Sequence, residues 1–107
     1  MISKKVFISQ PMNGKSDESI KAERENIINS IKAEFGDNVE ILNSFIEDDC
    51  PSYANAGLWY LGKSLLILSE ADIAYFVQGY ETARGCMIEH ECAIKYGIGH
   101  IIEEKGR

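Results

Sequence analysis

The chain reads as an α/β domain, a three-layer flavodoxin/Rossmann-like sandwich around a small, mainly parallel sheet of four to five strands. Three observations predict it. Short runs rich in β-branched and aromatic residues alternate with segments of helical periodicity, in the order β-α-β-α-β-α-β. The third run, "DIAYFV", is almost wholly apolar, as a central strand buried on both faces must be. Strands separated by helices pair in parallel through right-handed crossovers, which lay helices on both sheet faces.

The elements follow in order. "KVFIS" at 5–9 is a strand, closed by the Pro/Asn/Gly turn chemistry of "QPMNG". In "SDESIKAERENIINSIKAEFG", Ser16 or Asp17 caps a helix whose first turn carries Asp17 and Glu18. Ile20, Ile27, Ile31 and Phe35 form its apolar stripe, and Gly36 ends it. "VEIL" at 39–42 is the second strand, followed by the long connection "NSFIEDDCPSYANAG". Leu58, Leu61, Leu65 and Leu68 mark a second helix ending near Glu70. "DIAYFV" at 72–77 is the third strand, "QGYETARG" a turn, "CMIEHECAIKYG" a helix and "IGHII" the last strand.

At 107 residues the chain is one domain, 1–107, without repeats or a linker. A formal charge of -6 argues against a nucleic-acid polymer as partner, because polyanion binding needs a basic face. A small anionic ligand needs only a few local donors and stays open. No stretch approaches the roughly 18 apolar residues of a membrane span, so no membrane partner is expected. The opening "MISKKVFIS" lacks the features of a signal peptide. Three cysteines, Cys50, Cys86 and Cys92, form no C-x-x-C pair and fit reduced thiols, hence a cytoplasmic location.

Ligands of such sheets bind at the carboxyl ends of the strands near the topological switch point, which points to the loops at 9–16 and 78–85. The first, "SQPMNGKS", resembles the second half of a nucleotide-triphosphate P-loop in Gly14, Lys15 and Ser16. Ser9 stands where the first glycine belongs, and Pro11 removes a backbone N–H from the cradle. No acid directly follows a neighbouring strand to hold magnesium. The P-loop reading therefore fails, although a helix amino terminus at the end of a buried strand still attracts anions.

In the last helix, Glu91 falls beside Lys95, one turn on, and the pair reads as a solvent-facing salt bridge. Glu89 falls among Cys86, Cys92, Ala93 and Tyr96, at the margin of the small and apolar surface. A carboxylate there is costly unless paired or functional, and its pKa tends to rise. On pattern alone it could also reach water past Ala93. Arg84 and Tyr80 precede it in the loop and suit a sugar or phosphate. Cys86 and His90 share a face, but Cys92 points elsewhere and no fourth ligand has suitable spacing, so no metal is expected.

These stretches resemble the nucleoside 2-deoxyribosyltransferase-like superfamily, closest to a branch of short, mostly uncharacterised bacterial and phage proteins. "VFISQPMNG" and "LSEADIAYFVQGYETARGCMIEHECAIKYG" carry the likeness, which with the helix between them covers nearly the whole chain. The resemblance implies a glutamate nucleophile at Glu89, which attacks the anomeric carbon of a nucleoside or nucleotide while the base leaves. It implies that Asp72 lies near the ribose, as a second catalytic candidate. It sets sugar and phosphate against Ser9, Gln10, Pro11, Met12 and Asn13 in the first loop. Gly79, Tyr80, Arg84 and Gly85 are the candidate substrate contacts of the second.

The expectation is an N-glycosidic hydrolase or transferase acting on a nucleoside or nucleotide, without cofactor. The alternative is a non-catalytic module that senses or sequesters a nucleotide-derived ligand in the same crevice. Relatives assemble as dimers or larger. The stripe with Leu58, Trp59 and Leu65 has more large apolar residues than one face of a small domain needs, so a homodimer or higher homo-oligomer through that helix is expected.

Overall fold

A computed structural model describes residues 3–12, 14–44 and 46–103. Four strands, β1 (Lys4–Ser9), β2 (Val39–Ile41), β3 (Ile73–Phe76) and β4 (Gly99–Ile102), alternate with three helices, α1 (Asp17–Phe35), α2 (Ala56–Leu68) and α3 (Arg84–Lys95). A short 3-10 helix, Tyr80–Thr82, lies between β3 and α3. All strand pairs are parallel, in the order β2-β1-β3-β4. The chain order reverses direction across the sheet between β1 and β3, and the crevice at their carboxyl ends is the position where such sheets bind ligands.

Alternation along the strands divides the core into two layers. Val6, Ile8, Tyr75 and Val77 pack against Ile27 and Ile31 of α1 on one face. Phe7, Ala74 and Phe76 pack with Leu42, Leu68 of α2 and Ala93 of α3 on the other. This is the three-layer α/β sandwich that the alternating pattern predicts.

The helix ends show why the elements stop where they do. Ser16 Oγ accepts from the Ser19 N–H at 3.1 Å and starts α1. Gly36, at φ +79°, ends it in a conformation that favours glycine. Asn55 Oδ1 accepts from the Leu58 N–H at 3.0 Å and starts α2 two residues before the apolar stripe. By contrast, Ala83 precedes α3 with no side chain to cap it. The first backbone N–H groups of α3 therefore lack a side-chain acceptor.

Arg24, on the core side of α1, is buried. Its Nη2 donates to the Leu42 carbonyl at 3.0 Å, while Nη1 has no partner among the described residues. Burial holds its guanidinium pKa below the ordinary value. The bond ties α1 to the chain leaving β2, where Ser44 Oγ donates to the Ile8 carbonyl at 3.0 Å.

Candidate functional site

Glu89 lies one turn and a half into α3, on the side turned toward the sheet, and only 6 % of it is exposed. Both carboxylate oxygens are held. Ser9 Oγ, at the carboxyl end of β1, donates to Oε1 at 2.6 Å, and Ser64 Oγ, from α2, donates to Oε2 at 2.6 Å. Bonds this short are typical of hydroxyls donating to an ionised carboxylate. Ser9 is fully buried, whereas Ser64 and Glu89 line an open cleft of about 650 Å³. That volume lies within the roughly 300–1,000 Å³ of small-molecule sites.

The cleft runs over the carboxyl end of β1. On one side stand Tyr60, Leu61 and Ser64 of α2, with Arg84 and Glu89 of α3. On the other stand Gln10, Met12, Lys15, Ile20 and Ser44. Lys15 Nζ pairs with Glu23 Oε1 at 3.1 Å, so it stays near the rim. Arg84 is exposed, and its Nη2 lies 3.1 Å from where a Cβ on Gly57 would be. A side chain at Gly57 would require the exposed guanidinium to shift by a few tenths of an ångström, so the glycine eases its rest on the start of α2. The uncapped start of α3 opens beside Arg84, adding positive potential to that end of the cleft.

Burial pushes the Glu89 carboxyl above its ordinary range, and the hydrogen bonds from Ser64 and Ser9 draw it back. Cys86, one turn earlier, also lines the cleft but is buried. Its thiol is pushed up to about 11, mainly by burial, against the opposing hydrogen bond with Ser9. A neutral thiol is a poor nucleophile. Among the groups lining the cleft, Glu89 is the nucleophile best placed, and Asp17 is the other carboxylate there.

The structure brings Gln10, Met12, Arg84, Gly85 and Glu89 to one cleft, with Ser9 directly behind Glu89. Strand alternation sends Gln10 to the α1 side. Its Nε2 donates to the Ile20 carbonyl and to Glu23 Oε1, each at 2.9 Å, and its buried Oε1 has no partner among the described residues. Pro11 packs at the junction of the two loops, its Cγ 4.0 Å from where a Cβ on Gly79 would be. Gly79 itself, at φ +94°, borders a separate groove of about 410 Å³ between α1 and the end of β3. Tyr80 turns into the aromatic cluster of Phe76 and His90, away from the cleft. Asn13 lies outside the described residues.

Asp72 is not brought to this group. It stands just before β3, at the amino end of the sheet, where its Oδ2 accepts from the Lys5 N–H at 2.8 Å. A four-residue strand, about 13 Å long, separates that end from the crevice. Its position fits a strand-end cap. Glu91 and Lys95 are exposed as expected, but among the described residues no ion pair joins them, because both side chains are free to extend into water. Among the described residues, no group of three or more His, Cys, Asp or Glu side chains is arranged to hold a metal ion.

Sequence reasoning missed Ser64 and the α2 wall. A serine on the inward stripe Leu61–Leu65–Leu68 was the available signal, since a hydroxyl on a core-facing helix stripe needs a partner. No family model matches the chain, and no curated protein matches it at a significant level.

Proposed function

We propose that the protein acts on the N-glycosidic bond of a small nucleoside or nucleotide, as a hydrolase or transferase, with Glu89 as the nucleophile. The observation that carries this reading is a buried carboxylate, fixed at both oxygens by serines, in the wall of a cleft at the β1/β3 crevice. The resemblance of "VFISQPMNG" and "GCMIEHECA" to nucleoside 2-deoxyribosyltransferase-like proteins supports the same chemistry.

The proposed steps follow from that geometry. Oε2 is the oxygen on the cleft side, next to Ser64, so it attacks the anomeric carbon. The carbon–nitrogen bond breaks, and its electron pair leaves with the base, which takes a proton from water. Water, or a second base, then attacks the glycosyl ester and restores the Glu89 carboxylate. Ser9 holds Oε1 throughout and fixes the carboxylate plane. Arg84 and the open start of α3 attract a phosphate on the sugar. Asp72, at the far end of the sheet, takes no part in these steps. The protein is proposed to work in the cytoplasm; among the described residues, no helix is long and apolar enough to cross a membrane.

The test is incubation of wild type and Glu89→Gln with a panel of nucleosides and nucleotides, followed by mass spectrometry. Free base from wild type, reduced roughly 10³-fold or more in the variant, is the expected result. Intact ligand retained by both proteins would replace this reading with the binding-module alternative. Full activity in the variant would remove Glu89 from the mechanism.

A further inference from the structure

Hydrogen-bond donors and acceptors are unevenly shared along the cleft. Each hydroxyl of its described lining spends its hydrogen on the protein itself. Ser44 donates to the Ile8 carbonyl, Tyr60 to the Asp48 carbonyl, Ser64 to Glu89 and Thr82 to the Gly79 carbonyl. A carbonyl or a carboxylate only accepts, so the direction of each bond is fixed. Toward the cleft these hydroxyls offer lone pairs. The free donors gather at one end, in Arg84 and the uncapped start of α3.

The opposite wall, around the end of β1 and the start of α1, turns its donors away. Lys15 directs its ammonium to both oxygens of Glu23, at 3.1 and 3.3 Å. Gln10, only 4 % exposed, gives its amide hydrogens to the Ile20 carbonyl and to Glu23. Flipping that amide would set its oxygen against two acceptors, so its orientation is fixed. Oε1 is therefore a buried acceptor with no partner among the described residues, on a side chain that lines the cleft. A buried acceptor left unpaired is costly, and a ligand N–H removes that cost. Ser44 Oγ and the Asp17 carboxylate add further acceptors to the same lining.

The surroundings decide which part of a ligand belongs there. A phosphate would meet only acceptors at Gln10, whereas Arg84 offers it donors at the other end. Ile8, Met12 and Ile20 supply apolar lining on the Gln10 side, which suits the flat face of a base better than a hydroxyl-rich sugar. An oxo base turns a carbonyl oxygen to such a wall, and an amino base turns hydrogens to it.

We infer that the cleft selects a base bearing an exocyclic amine, of the adenine or cytosine type, with that amine donating to Gln10 Oε1. This rests on the nucleoside or nucleotide reading above and names the class of base it takes. Gln10 is then a specificity residue for the base rather than a contact to sugar or phosphate.

Calorimetric titration of Glu89→Gln, which blocks turnover, compares nucleoside 5'-monophosphates that differ only in the base. One series sets adenine against hypoxanthine and unsubstituted purine, the other cytosine against uracil. The amino member of at least one series is expected to bind about 10-fold or more tightly than its counterparts. In Gln10→Met, of similar length but without the acceptor, that preference should shrink to about twofold or less. Base release by wild type from the same panel separates this inference from the reading beneath it. Release without preference for the amine overturns the inference and leaves the glycosidic reading standing. Preferential binding with no release keeps the inference and makes the protein a binding module. A panel that is neither bound nor cleaved overturns both. A preference undiminished in folded Gln10→Met overturns the role of Gln10, and if that variant fails to fold, the ligand series decide.

Discussion

Ser9 and Glu89, 80 residues apart in the chain, are joined by a 2.6 Å hydrogen bond that is closed to solvent. Ser64 completes the clamp from a third element. The two serines are chemically alike but differ in place: Ser9 is sealed in the sheet, and Ser64 borders the cleft. Removing a hydrogen bond to a buried charged group costs about 1.5–3 kcal/mol, so Ser9→Ala is expected to lower unfolding stability by that amount in urea denaturation.

Ser64→Ala is expected to act mainly on the pH–rate profile. The Ser64 hydroxyl holds the Glu89 carboxyl down against burial. Without it the carboxyl titrates still higher, and the acid limb moves to higher pH. Initial rates of base release across the pH range check this. The variant should regain activity on the alkaline side, and a profile unchanged from wild type would show that the clamp does not control ionisation.

The same burial predicts how stability varies with pH. The Glu89 carboxyl titrates higher in the folded chain than its ordinary value of 4.5, so the folded state binds more protons across that window. The stability linked to that proton is fully present below the unfolded value, and is lost as pH rises through the folded one. Glu89→Gln carries no such loss. Its Tm relative to wild type should therefore rise as pH increases above the ordinary carboxyl value of 4.5, as measured by paired thermal melts.

Cys86 should be inert despite its place in the cleft. With the thiol near 11, its thiolate fraction at pH 8 is roughly 100- to 250-fold below that of an ordinary exposed cysteine. Iodoacetamide labelling read by peptide mass spectrometry should modify half-buried Cys50 well before Cys86. Rapid labelling of Cys86 would mean that the pocket around it opens in solution.

Gln10 should govern the first loop. Its Nε2 bonds Ile20 and Glu23, while the Lys15–Glu23 pair beside it is about one-third exposed on both sides and adds little. Gln10→Ala is expected to cost about 1–2 kcal/mol and to speed hydrogen exchange in residues 10–15 more than elsewhere.

The succession of elements was legible because hydrophobic period switches at each boundary. "DIAYFV" is apolar on consecutive residues, whereas Ile20, Ile27 and Ile31 recur at helical spacing, and both patterns survive in the fold. That Glu89 lies at the margin of the apolar face was legible from Cys86 and Ala93 beside it, but that it turns inward rather than reaching water past Ala93 was not. Nor was what lies against it. Ser64 reaches Glu89 because α2 crosses over β1 and settles beside α3, a long-range event that no local pattern encodes. The 3-10 turn at Tyr80 also escaped, because "QGYETARG" offers only turn chemistry. Asp72 was drawn into the site by resemblance, and its own position before the strand, rather than after it, already placed it at the opposite sheet end.

The strand order carries a consequence for how this chain comes into being. β1 is made first, but it lies between β2 and β3. During synthesis one of its edges has no partner until residues 73–76 have emerged, and Glu89 comes later still. Early truncations should therefore be sticky as well as inactive, since an unpaired apolar strand edge invites aggregation. For this chain Glu89 is the last part of its own cleft to arrive, and a ribosome that stalls before residue 89 leaves a cleft wall with nothing to hold.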